Sequence, residues 1–94
     1  MVWMEMIRLR TTQRQAQDVY SLLIDSMRQM TTEPGLVQAQ VYDNAWQSTD
    51  VALSLLWDND FPRHEGSRAG LSISEILKTF GLVEHSIWLR KTGV

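Results

Sequence analysis

Cysteine is absent from the 94 residues. That excludes a disulfide framework, a thiolate nucleophile and a cysteine zinc site, and it suits an intracellular setting. Basic charge is not in excess either. Nine Lys and Arg stand against eleven Asp and Glu, for a formal net charge of −2. With no basic stripe to neutralise phosphates, neither nucleic acid nor a membrane surface is an expected partner. No apolar run reaches the length of a membrane span, and the opening MVWMEMIRLR carries Glu5, Arg8 and Arg10 where a signal peptide would be apolar. The expected location is the cytoplasm. There are only two histidines, His64 and His85, too few and too far apart for a metal-ligand spacing. No Gly-x-Ser-x-Gly elbow, phosphate loop, dinucleotide fingerprint or His-Glu-x-x-His run occurs.

What is present describes an ordinary ordered globule: 44% of the residues are apolar and 21% charged. The length allows one domain, residues 1–94. A chain of this size hides only about 60 to 65% of the surface it exposes when unfolded, so it is marginal as a monomer.

VWMEMIRLR (2–10) reads as a strand, with Trp3, Glu5, Ile7 and Leu9 on one face and Met4, Met6 and Arg8 on the other. Thr12 with Gln15 makes a capping box. Ala16, Val19, Tyr20, Leu23, Met27 and Met30 then form one helical stripe, which Glu33-Pro34-Gly35 closes. LVQAQVYD (36–43) alternates, with Val37, Ala39 and Val41 on one face and Leu36, Gln38, Gln40 and Tyr42 on the other. VALSLLWD (51–58) follows closely enough to predict an antiparallel hairpin.

Asp58-Asn59-Asp60 before Pro62 resembles a helix entrance, which Gly66 and Gly70 leave short or broken. LSISEILKTFG (71–81) carries a better-marked start. Ser72 and Glu75 make a capping box there, Leu71 and Ile76 stand at staple positions, and Gly81 stands as the C-terminal cap. LVEHSIWLRK (82–91) closes the chain as an alternating strand.

The resulting order, βαββαβ, predicts an α+β, ferredoxin-like arrangement: a four-stranded antiparallel sheet with both helices on one face. The other face is left bare. Large side chains on a bare sheet face of a marginal domain predict a homodimer formed through that face. The third strand lacks the basic glycine-aromatic signature of RNA-recognition domains of the same order.

Three passages carry a family resemblance over roughly residues 3–91: EPGLVQAQVYDN after the long first helix, ALSLLWDNDFPRHEG with Trp57 at a strand end and His64 seven residues on, and the closing GLVEHSIWLR. The chain resembles the antibiotic-biosynthesis-monooxygenase-type domains of the dimeric α/β-barrel superfamily. The resemblance implies two sheets packed face to face and a pocket between the sheet and the helices of each subunit. It implies oxidation of polycyclic phenols by dioxygen without metal or prosthetic group. In haem-degrading members it implies a histidine, a tryptophan and a strand-one asparagine around haem. Trp57 and His64 match two of those positions; strand one offers Glu5 instead of the asparagine.

His64 and Glu84 are the expected acid–base residues, since either type can take a phenolic proton. Trp57, Tyr42, Trp88 and His85 are the expected substrate contacts. Each also has a plain reading. Trp57 is equally a core aromatic, His64 a solvated loop residue and His85 a satisfied core histidine. The row Glu84, Ser86, Trp88 and Arg90, joined with Gln38, Gln40 and Tyr42, is equally a dimer interface, where Trp, Tyr and Arg are enriched. The expected function is a cofactor-independent oxygenase acting on an aromatic or polycyclic small molecule. The alternative is a non-catalytic dimeric ligand-binding or interaction module.

Overall fold

In the computed structural model, which describes residues 1–93, strand β1 (Val2–Arg10) runs through the middle of the sheet and pairs antiparallel on both sides. Helix α1 (Gln13–Gln29) follows, then β2 (Leu36–Asp43), β3 (Asp50–Asp58), α2 (Arg68–Leu77) and β4 (Leu82–Leu89). The sheet order β2-β3-β1-β4, antiparallel throughout, is the ferredoxin-like order. Helix α1 packs over β2 and β3, and α2 over β1 and β4.

The two-residue period of β1 sorts the faces. Trp3, Ile7 and Leu9 are buried under the helices, where the register sets them against Trp57, Leu53 and Val51 of β3. Val19 and Leu23 of α1 and Ile73 and Leu77 of α2 close this core from above. Leu53 is fully buried, and its truncation to Ala carries a cost of about 2–5 kcal/mol. The opposite face has no helix. Met4, Met6 and Arg8 share it with Leu56, Ser54 and Ala52 of β3, Trp88, Ser86 and Glu84 of β4, and Gln38, Gln40 and Tyr42 of β2.

Helix α1 begins where its capping signal places it: the Thr12 side chain accepts a hydrogen bond from the Gln15 N–H at 3.2 Å. It ends at Gln29, with Met30 as its cap, before Pro34 is reached. The β2–β3 hairpin turns on Asn44, whose side-chain oxygen accepts from the N–H groups of Trp46 and Gln47 at 2.9 and 3.0 Å.

Three local expectations are corrected. First, β2 carries a bulge between Leu36 and Gln38, so Leu36, Ala39 and Val41 face the core while Val37 is 60% exposed. Second, no helix follows directly on Asp58, which ends β3; residues 59–66 form the loop leading to α2. Third, α2 starts at Ser67, whose hydroxyl accepts from the Gly70 N–H at 2.9 Å, and it ends at Leu77. Ser72 therefore lies inside the helix, and Leu71 and Ile76 are exposed instead of stapled. Gly81 does not cap the helix: it lies against the main chain of β1, where a Cβ would strike the Arg10 carbonyl oxygen. Among the described residues no helix is long and apolar enough to cross a membrane.

Candidate functional site

One residue on the core face of β1 is not apolar. Glu5 is fully buried, and its carboxylate collects hydrogen bonds from three other elements. Trp57 Nε1 on β3 donates to Oε2 at 2.8 Å. The Ser67 N–H donates to Oε1 at 2.9 Å, and the Ser67 hydroxyl donates to Oε2. His85 Nε2 on β4 lies 2.8 Å from Oε1. An isolated buried carboxylate is very costly, and this one is tolerated because its lone pairs are occupied. The far nitrogen of His85, Nδ1, lies 3.3 Å from Ser74 Oγ, which donates to the Gly70 carbonyl at 2.9 Å.

Two glycines make the room. A Cβ at Gly70 or at Gly66 would collide with the Glu5 carboxylate, and one at Gly66 would also come within 3.0 Å of His85 Nε2. Gly66 further has φ of +86°, a conformation that side chains other than glycine's rarely adopt. The loop into α2 thus lies directly on the carboxylate and carries Ser67 to it.

On the other side of this loop is a cavity of about 400 Å³. Its walls come from Trp3 and Trp57 at the strand ends, from Pro34 before β2, from the Asn59–Ser67 loop and from the first turn of α2. The two indoles stack, with ring centroids 5.8 Å apart and planes inclined by 22°. Neither has an N–H to spare, since Trp3 Nε1 donates to Asn59 Oδ1 at 2.6 Å and Trp57 Nε1 to Glu5. Both are almost wholly buried, each 3% exposed, so little of either ring reaches the cavity, whose exposed aromatic is Phe61. Charges of both signs line the cavity: Arg63 and Arg68 against Glu33, Asp60 and Glu65. Ser67 adds a hydroxyl that already donates to Glu5 and accepts from Gly70, leaving one lone pair free.

The residues singled out from the sequence fall in three places. Trp57 lines the cavity, and His85 sits behind it on Glu5. His64 is exposed on a turn and is absent from the cavity lining, although both its neighbours contribute. Glu84, Tyr42 and Trp88 lie on the bare face: Glu84 faces Arg8 at 3.4 Å, Tyr42 donates to Gln40, and Trp88 Nε1 donates to Ser86 at 2.8 Å. Within one chain, His64 and Glu84 therefore do not meet over a common substrate.

Sequence reasoning missed Glu5 and Ser67 as site residues. The signal for Glu5 was its position as the single charge in the core-facing row of β1. Its occupied carboxylate also differs from the strand-one asparagine of the haem-degrading pattern, as it presents no free polar group to a ligand. Among the described residues no group of His, Asp and Glu side chains is arranged to hold a metal ion.

No protein-family model matches the sequence, and a search of curated proteins found no match. Solved structures do match. An antibiotic-biosynthesis-monooxygenase-type protein of Deinococcus radiodurans superposes with a TM-score of 0.77 at 16% identity, covering 100% of this chain and 96% of its own. Rv0793 of Mycobacterium tuberculosis gives 0.76 at 14%, covering 99% and 98%. SnoaB, a cofactor-independent oxygenase of Streptomyces nogalater, gives 0.66 at 11%, covering 99% and 96%. The fold is that of the antibiotic-biosynthesis-monooxygenase-type domains. At these identities the likeness concerns the path of the chain, so what this monooxygenase-like fold does here has to be argued from its own side chains.

Proposed function

We propose that this protein is a cofactor-independent oxygenase-like enzyme whose substrate is a flat, hydroxyl-bearing aromatic or polycyclic molecule bound in the cavity beside Trp3 and Trp57. The observation that carries this reading is the cavity itself. Its volume of about 400 Å³ lies within the usual range of small-molecule sites, and it sets the exposed ring of Phe61 and the buried indoles beside a few converging polar groups. Opposite charges that nearly cancel favour a neutral ring over a strongly anionic ligand. A cofactor-independent oxygenase with the same fold, SnoaB, shows that the architecture can host such chemistry.

In this reading the protein orients the ring and takes its hydroxyl proton. The resulting electron-rich ring then passes an electron to dioxygen. Trp57 keeps its expected role as a ring contact. The test is a titration with a polycyclic hydroxyquinone, following tryptophan fluorescence and oxygen consumption. Saturable binding of one molecule per chain with oxygen uptake supports the reading. Binding without uptake leaves a ligand-binding module, and no binding removes both.

The bare sheet face supports a second element of the proposal, a homodimer. Trp88 is 59% exposed on it and Tyr42 46%, and Met4, Met6 and Leu56 lie between them on the two central strands. A surface that mixes exposed aromatic and apolar side chains with serines, glutamines and the Arg8–Glu84 pair is of the kind a second copy of the sheet would cover.

A further inference from the structure

We propose that Ser67 and Glu5 form a two-step proton acceptor for the substrate hydroxyl, with His85 as the residue that positions the Glu5 carboxylate; this rests on the reading of the cavity as the aromatic-ligand site. Ser67 and Trp57 line the cavity, whereas Glu5 is fully buried behind them; of these two partners of the carboxylate only Ser67 carries a lone pair that can accept a proton. The serine hydroxyl donates to Glu5 Oε2 and accepts from the Gly70 N–H. Its remaining lone pair is the acceptor for a ligand O–H.

The transfer balances without any other reactant. The ligand O–H bond breaks as its proton bonds to Ser67 Oγ, and the proton that Ser67 held moves to Glu5 Oε2. The negative charge passes from the carboxylate to the ligand oxygen. Every hydrogen bond survives: Glu5 Oε2–H now donates to Ser67, Ser67 donates to the ligand oxyanion, and Gly70 N–H still donates to Ser67. Only the direction of the serine's bond reverses. Trp57 Nε1 and the Ser67 N–H remain on the carboxyl group throughout, and His85 Nε2 holds Oε1 at 2.8 Å so that Oε2 stays aimed at the serine. The Ser67 hydroxyl both caps α2 and lines the cavity, and Gly66 and Gly70 leave room for the carboxylate behind it.

The experiment uses 4-nitrophenol, whose phenol and phenolate forms absorb at different wavelengths, with the full-length protein buffered about one unit below the midpoint of the free probe. Binding is read from tryptophan fluorescence, the form of the bound probe from its visible band, and Glu5 from the infrared carbonyl stretch of a protonated carboxyl group. The wild type is expected to bind the probe as phenolate, with the protonated-carboxyl band rising on binding. Ser67→Gly removes the hydroxyl at a cap position that accepts glycine, and it is expected to lower the phenolate-to-phenol ratio of the bound probe by about tenfold or more. Ser67→Thr is expected to restore it. Bound phenol in the wild type, no rise of the carboxyl band, or an unchanged ratio in Ser67→Gly would each overturn the relay while leaving the cavity as a ligand site. Absence of probe binding to the wild type would overturn the cavity reading and the relay with it. Should Ser67→Gly lose its fold by circular dichroism, the wild-type infrared measurement alone decides.

Discussion

Glu5 and His85 are bonded although they are not cross-strand partners. The β1–β4 register sets Ile7 opposite His85 and Glu5 opposite Ile87, and the two side chains meet on the diagonal at 2.8 Å between Oε1 and Nε2. Diagonal neighbours on an antiparallel pair lie within reach of long side chains. Removing the carboxylate leaves four donors without their partner: the Trp57 indole, the Ser67 backbone and hydroxyl, and His85. Glu5→Ala is therefore expected to destabilise the fold by about 3–5 kcal/mol in urea unfolding. The double variant Glu5→Leu with His85→Leu is expected to lose less than the sum of the two single changes, because each single change strands the other's polar group. A loss under about 1 kcal/mol for Glu5→Ala would show that the carboxylate is not enclosed as described.

Gly70 sets helix propensity against packing. It lies in the first turn of α2, where Ala is the better helix former by about 1 kcal/mol. A Cβ there would collide with the Glu5 carboxyl group, which four hydrogen bonds hold in place. Packing is expected to win: Gly70→Ala lowers stability, and Gly70→Ala placed on Glu5→Ala costs less than it does on the wild type. Calorimetric melting of the four chains measures this. A stabilising Gly70→Ala would contradict the placement of the carboxylate.

The same pair explains why the strands were legible in the sequence and the second helix was not. Strands β1, β2 and β4 alternate or run apolar between turn formers, and the ranges of β1 and β2 follow from that pattern, whereas β4 ends at Leu89, two residues before the expected 91. Val37 departs from it because a bulge shifts the row by one residue, and alternation alone carries no sign of a bulge. For α2, Ser72 with Glu75 makes the stronger local signal, yet Ser67 starts the helix. Ser67 is held there by Glu5, a residue on the first strand, and Gly70 reads as a helix breaker until the carboxylate beneath it is known. The site depended on that distant contact as well. Trp57 and His85 were visible as candidates, but the register that brings Glu5 between them is not a property of either segment.

The bare face predicts an assembly. The wild type is expected to sediment at twice its 10.9 kDa chain mass. Met6 sits at the centre of that face, paired with Ser54 on one side and Ser86 on the other. Met6→Asp would bury a charge in the interface, so it is expected to yield monomer with the fold retained. A wild type that remains monomeric at micromolar concentration would remove the dimer from the proposal.

The last prediction lies at the far end of β1, away from the cavity. Arg10 and Asp50 face each other across β1 and β3 in a two-pronged ion pair, Nε to Oδ1 at 3.0 Å and a terminal nitrogen to Oδ2 at 3.2 Å. The hydrogen bond from Arg10 holds the Asp50 carboxyl below its ordinary value of 3.8, outweighing the opposing effect of desolvation, and the Arg10 charge and a bond from Thr49 add to the lowering. A carboxyl group lowered in the folded state contributes stability above its unfolded pKa, and that contribution is lost as pH falls through the folded value. Asp50→Asn is therefore expected to be less stable than the wild type by a constant margin from neutral pH down to about pH 5. The margin should close as pH falls below 3.8, where the unfolded carboxyl group takes up its proton first. Urea midpoints of both chains across this range provide the measurement. Because the Arg10 side chain is mostly exposed, added salt should narrow the margin at neutral pH without abolishing it. A margin that is the same at both ends of the pH range would mean that Asp50 contributes through its shape and hydrogen bonds and not through its charge.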